Sequence, residues 1–115
     1  GSSDFLVGEI NGNFALTEIG RMLFTNDSAA FRDGDRVVLL IRPEDFQIIP
    51  CEKGELTVRG REFRGEETIL DLVTKSGLSL KCRQPSYSTL MPGVNVSLVP
   101  HTGKSFLAFD DTSSL

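Results

Sequence analysis

Residues 37–50 read VVLLIRPEDFQIIP, the only long apolar run of the chain that a charged cluster interrupts. Val37, Val38, Leu39, Leu40 and Ile41 are too few for an independent helix and rich in branched side chains, which suits a buried strand. Pro43 has no N–H and biases Arg42 towards extended backbone, so Arg42-Pro43-Glu44-Asp45 should turn the chain out of its sheet. Phe46, Ile48 and Ile49 resume the apolar pattern and Pro50 closes it. The stretch predicts a strand, a corner and an edge strand, around which the rest can be arranged.

Upstream, Phe5, Val7, Ile10, Phe14, Leu16 and Ile19 flank Asn11-Gly12-Asn13 and predict a short hairpin, followed by a strand at Met22-Leu23-Phe24. Residues 25–31 allow one helical turn capped by Asn26 or Asp27, and Asp33-Gly34-Asp35 is a turn signal before the central strand. Downstream, Leu56 and Val58 share one face of a strand in which Gly60 should form a bulge that swings Phe63 back towards the core. Residues 68–74 and 78–83 alternate cleanly around Lys75-Ser76-Gly77, residues 84–92 form a loop between two prolines, and further strands carry Val94, Val96 and Leu98, then Phe106, Leu107 and Phe109. Short strands separated by regular turn signals, without a convincing long helix, predict an all-β fold: a small antiparallel OB-like barrel with additional short strands, its barrel in the bulged second half.

The 115 residues suit one domain or two very small β units sharing a core. Residues 1–3 read as a cloning remnant or linker end, 4–110 as the β domain and 111–115 as a frayed tail. Hydrophobic content of 39% and charged content of 24% describe a globular chain and not a disordered one, and no apolar run reaches the ~20 residues of a membrane span. A net charge of −4 is unpromising for a protein that must neutralise phosphates. The charge is uneven, however: residues 1–50 hold four basic and eight acidic side chains, whereas residues 52–83 hold seven and six, so a local basic stripe stays open. Cys51 and Cys82 lack metal-ligand spacing, and Cys82 continues the apolar alternation of Leu78 and Leu80 as a buried thiol, which fits a reducing compartment.

Reactive constellations are scarce. Gly103-Lys104-Ser105 imitates the end of a phosphate-binding loop, but Leu98 stands where that loop needs glycine and a strand follows where it needs a helix. His101 is the sole histidine and reads as a solvated turn residue. The adjacent acids Glu44-Asp45, Glu66-Glu67 and Asp110-Asp111 would point to opposite faces of a strand, which spoils them as acid/base couples. Arg59 with Arg61, and Lys81 with Arg83, share faces of regular strands near Phe63 and Tyr87. That is the mixture a single-strand nucleic-acid binder uses, although a charged outer face balanced by Glu55, Glu62 and Asp71 accounts for it more simply.

Gly34, Val37, Leu39, Ile41, Arg42, Pro43 and Glu44 match a Gly-x-x-Val-x-Leu-Gly-Ile-Arg-Pro-Glu pattern, with Leu40 in place of glycine. Phe63, Gly65, Glu66 and Glu67, then Pro92-Gly93-Val94-Asn95-Val96, follow in the same order, with Arg64 in place of a common leucine. In these features the chain resembles the TOBE domain, the C-terminal regulatory region of ABC transporter ATP-binding subunits in the maltose, spermidine, sulfate and ferric-iron importer group. The resemblance implies a non-catalytic regulatory and dimerisation domain, with Arg42, Pro43, Glu44, Phe63, Gly65, Glu66 and Gly93 as signature or structural residues. Within it, Arg42 is expected to brace a neighbouring carbonyl or carboxylate and Glu44 to accept loop N–H groups. The chain lacks Walker A, Walker B and Leu-Ser-Gly-Gly-Gln motifs, so it should be an accessory piece that hydrolyses no ATP and holds no cofactor or metal, with ATP and Mg belonging to a longer parent. Implied partners are the parent's ATPase domain, a second copy of the subunit, and a regulatory protein or small ligand, on the cytoplasmic face of the cell membrane. Single-stranded nucleic-acid binding and small-oxyanion sensing are the alternatives.

Overall fold

The computed structural model describes residues 4–25, 30–86 and 88–111. The expectations for residues 1–3, for caps at Asn26 or Asp27, for Tyr87 as a stacking ring and for a tail at 112–115 lie outside the described residues.

Alternating patterns become strands almost wherever they occur. β1 (Asp4–Asn11), β2 (Phe14–Thr17), β3 (Gly20–Thr25) and β4 (Arg36–Ile41) lead to the corner. β5 (Phe46–Pro50), β6 (Leu56–Arg64), β7 (Glu67–Thr74), β8 (Ser79–Pro85) and β9 (Asn95–Pro100) follow it, and β10 (Phe106–Asp110) comes last. Among the described residues the only helical element is a 3₁₀ turn at Pro43–Asp45.

The strands β1-β2-β3-β10-β4 form a closed barrel in which β4 pairs back onto β1 and only β3 and β10 run parallel. Numbered along the chain within the barrel, the order is first, second, third, fifth, fourth, the Greek-key arrangement of an OB-like barrel. The other five strands form an open antiparallel sheet, β5-β9-β6-β7-β8, inserted between the barrel's fourth and fifth strands. The all-β, OB-like architecture is therefore present, but its location needs correcting. The barrel belongs to the first half plus the last strand, because closure depends on β10 returning to β4 and β3, a long-range pairing that no local pattern encodes.

Period-two alternation supplies the core. Leu6, Ile10, Val37, Leu39, Ile41, Phe106 and Ala108 point into the barrel, while Leu56, Val58, Leu70, Leu72, Leu80, Cys82, Val96 and Leu98 fill the inner face of the inserted sheet. They form one contiguous cluster. The central strand is buried on one side only: Val37, Leu39 and Ile41 are interior, whereas Val38 and Leu40 face outward and are half-buried.

The register shift between Val58 and Gly60 is the expected bulge. It sets Phe63 opposite the fully buried Thr68, yet Phe63 itself is 69% exposed beside the β6–β7 turn, so the expected return of its ring to the core does not occur. Gly54, in the connection between β5 and β6, packs closely on β9, since a Cβ there would overlap the Val96 backbone. At the tail end, Asp110 still belongs to β10, and the Asp111 N–H donates to the Arg36 carbonyl at 3.3 Å.

Candidate functional site

The corner after β4 is where the chain passes from barrel to sheet, and the turn at residues 101–105 is where it passes back. Extended backbone at Arg42 and the fixed φ of Pro43 start the 3₁₀ turn, which closes with the Asp45 N–H donating to the Arg42 carbonyl at 2.9 Å. The Asp45 carboxylate accepts the Arg42 N–H at 3.1 Å through Oδ2 and pairs with Lys104 Nζ at 3.2 Å through Oδ1. Its backbone carbonyl accepts the His101 N–H at 3.1 Å. One residue further on, the Phe46 ring stacks on Phe106 with centroids 5.3 Å apart and planes 15° from parallel. Asp45 and Phe46 thus rivet the outgoing crossover to the returning one, which couples the two β units.

This bracing is assigned differently from the sequence expectation. Among the described residues the Arg42 guanidinium and the Glu44 carboxylate, both exposed, make no hydrogen bond or ion pair, and Asp45 fastens the corner instead. Glu44 acts at longer range on Cys82, whose thiol is pushed up to about 12, first by burial and then by the charges of Asp4 and Glu44. Such a thiol is inert as a nucleophile at neutral pH.

Pro43 and Glu44 also border a cleft of about 890 Å³ that reaches Arg61, Glu62 and Arg64 on β6 and Lys81 and Arg83 on β8. Its basic residues are mostly committed. The bulge separates Arg59 from Arg61, so the two do not share a face. Arg59 donates to Asp71 Oδ2 at 2.8 Å through Nε, and Lys81 Nζ lies 3.5 Å from the same oxygen. Arg61 donates instead to the carbonyls of Leu90 and Ser86, at 3.0 and 3.4 Å, and pins the loop before β9. Arg83 pairs with Glu67 at 3.5 Å. Burial pushes the Asp71 carboxyl up, but the Ser79 hydroxyl, Arg59 and Lys81 outweigh it and hold it below the ordinary range. Glu18, in the β2–β3 turn, is likewise held low: burial raises it, and hydrogen bonds from Ser76 and Thr74 in the β7–β8 turn more than offset this. That contact, with Ser76 Oγ donating to Glu18 Oε2 at 2.6 Å, is a second clasp between barrel and sheet.

The remaining signature residues do not gather at the corner. Phe63, Gly65 and Glu66 lie at the exposed β6–β7 tip, where Gly65 takes a φ of +68° that the turn requires. Gly93 sits across the sheet, its N–H donating to the Val58 carbonyl at 2.8 Å. His101 is exposed in its turn, and Lys104-Ser105 leads into a strand. Among the described residues no group of His, Cys, Asp and Glu could hold a metal ion.

The model of the TOBE domain matches residues 39–107, from the middle of β4 through the corner and the whole inserted sheet into β10. The chain belongs to the TOBE domain family. No curated protein matches it. TOBE domains are non-catalytic and are associated with regulation of ABC transporters or with molybdate binding. Among the described residues no helix is long and apolar enough to cross a membrane.

Proposed function

We propose that the chain is the regulatory and pairing domain of an ABC importer's ATP-binding subunit, acting in solute import from the cytoplasmic face of the cell membrane. Its partners are then the ATPase domain of the same subunit and a second copy. The observation that carries this reading is the doubly fastened crossover at Asp45 and Phe46, which makes two β units one rigid body suited to transmitting position and not to chemistry. ATP and Mg belong to the ATPase domain in this scheme. The oxyanion and nucleic-acid alternatives are disfavoured because Arg59, Lys81 and Arg83 are spent on Asp71 and Glu67, so an anion would have to displace carboxylates already in place.

The test is the coding sequence immediately upstream of Asp4. An ATPase domain with Walker and signature motifs supports the reading, and any other domain type there overturns it. Calorimetric titration with molybdate, sulfate and phosphate is expected to give no saturable heat; saturable binding would move the reading to oxyanion sensing.

A further inference from the structure

The cleft beside the corner is lined by seven charged side chains, and five of them are committed. Arg64 pairs with Glu62 at 3.2 Å, Lys81 with Asp71 at 3.5 Å and Arg83 with Glu67 at 3.5 Å. The two left over have opposite sign. Arg61 is half-buried, and its guanidinium donates only to the uncharged carbonyls of Leu90 and Ser86, through Nη1 and Nη2. Three of the five guanidinium N–H groups therefore stay available, and no carboxylate offsets the charge among the described residues. Glu44 is exposed on the 3₁₀ turn and makes neither hydrogen bond nor ion pair among the described residues. Arg42, two residues earlier, does not line the cleft.

The fold holds these two charges on different sides of the cleft. Arg61, Leu70 and Cys82 form one row across β6, β7 and β8, which puts Arg61 and Cys82 about 10 Å apart at the backbone. The 3₁₀ turn packs against β8, and Glu44 is close enough that its charge, after burial and together with that of Asp4, pushes the Cys82 thiol up. Pro43, Phe46 and Ile48 give the cleft an apolar wall, and its volume of about 890 Å³ is that of a small-molecule site. We propose that the cleft binds a small amino-carboxylate zwitterion, an amino acid or a dipeptide, with its carboxylate on Arg61, its ammonium on Glu44 and its side chain against Phe46 and Ile48. Such a ligand answers both uncompensated charges at once, whereas a simple oxyanion would answer Arg61 and be repelled by Glu44. An extended residue spans about 3.5 Å and each charge-assisted bond adds about 2.8 Å, so one or two residues suit the gap. The inference goes beyond the transporter reading and does not depend on it.

Calorimetric and amide-shift NMR titrations of the chain with L-leucine and with L-leucyl-L-leucine, up to about 10 mM, test the proposal. At least one of the two should bind saturably, with shifts centred on Glu44, Arg61 and Cys82. Its N-acetyl form, which lacks the ammonium, and its C-terminal amide, which lacks the carboxylate, should each bind about tenfold more weakly. Glu44→Gln should weaken the free zwitterion about tenfold and leave the N-acetyl form unchanged, with the melting temperature kept because Glu44 has no hydrogen bond or ion pair to lose among the described residues. Arg61 also pins the loop before β9, so the amide, and not a substitution, tests the charge at that end. No saturable binding of either compound overturns the site. Equal affinity for the free and capped forms, or for the parent and Glu44→Gln, overturns the zwitterion, and shifts centred elsewhere overturn the cleft as its place. The upstream coding sequence judges the transporter reading independently of all these results.

Discussion

The barrel and the inserted sheet are built on the same rule, every second residue inward, yet they finish their outer faces in opposite ways. Outward positions on β6, β7 and β8 carry Arg59, Asp71, Lys81, Glu67 and Arg83, joined in ion pairs. Outward positions on β1, β4 and β10 carry Phe5, Val7, Val38, Leu40, Leu107 and Phe109. Inward composition is much the same in both, so the core explains stability and the outer faces differ in kind, one a wall of ion pairs and the other apolar.

The strongest way to break this comparison is to cut the joint between its halves. Phe106 is 1% exposed and stacks on Phe46 across the crossover, so Phe106→Ala should cost about 3–5 kcal/mol. A single cooperative unfolding transition should move down as a whole in denaturant melts; resolution into two transitions would mean that barrel and sheet are independent. The next effect contrasts their backbones. A Cβ at Gly54 would overlap the Val96 backbone, whereas one at Gly8 in the barrel meets Thr17 Cγ2 at 3.2 Å, Ala15 Cβ at 3.3 Å and the Leu16 carbonyl oxygen at 3.3 Å, close contacts that a shift of a few tenths of an ångström relieves. Gly54→Ala should therefore lose about 3 kcal/mol and Gly8→Ala about 1 kcal/mol. Equal losses would show that the two regions are packed alike.

A smaller effect concerns the corner itself. Asp45 holds Lys104 and the Arg42 N–H, while the Arg42 guanidinium makes no hydrogen bond or ion pair among the described residues. Asp45→Ala should lower stability by about 1–2 kcal/mol, and Arg42→Ala should fall within about 0.5 kcal/mol of the exposed control Lys75→Ala. Thermal melts in which Arg42→Ala is the more damaging of the two corner variants would return the bracing role to the arginine.

That reversal illustrates what could be read beforehand. Strand positions, the Gly60 bulge, the corner and the buried Cys82 all follow from local rules, because alternation, glycine and proline act on near neighbours. Barrel closure by β10 and the Asp45–Lys104 rivet join residues far apart in sequence, and no spacing rule marks which acid of Glu44-Asp45 turns inward. The capping pattern held a partial signal, since an acid three residues after Arg42 suits a residue that returns to the N-cap N–H. Val38 and Leu40 were legible as apolar but not as outward, because an uninterrupted run of five hides its parity.

The faintest expected effect sharpens the comparison from the charged side. Asp71 is titrated below the ordinary carboxylate range by Ser79, Arg59 and Lys81 acting against its burial. A carboxyl depressed in the folded state adds stability that is complete above its unfolded value, about 3.9, and is lost as pH falls through the folded value. Arg59 and Lys81 are more than half exposed, so solvent screening limits the whole contribution to under about 1 kcal/mol. Asp71→Asn should therefore be slightly less stable than the parent at pH 7 and should flatten the acid limb of the stability curve below about pH 4. Urea melts across that range check it: parallel acid limbs for parent and variant would mean that the ion pairs of the sheet's outer face serve solubility alone.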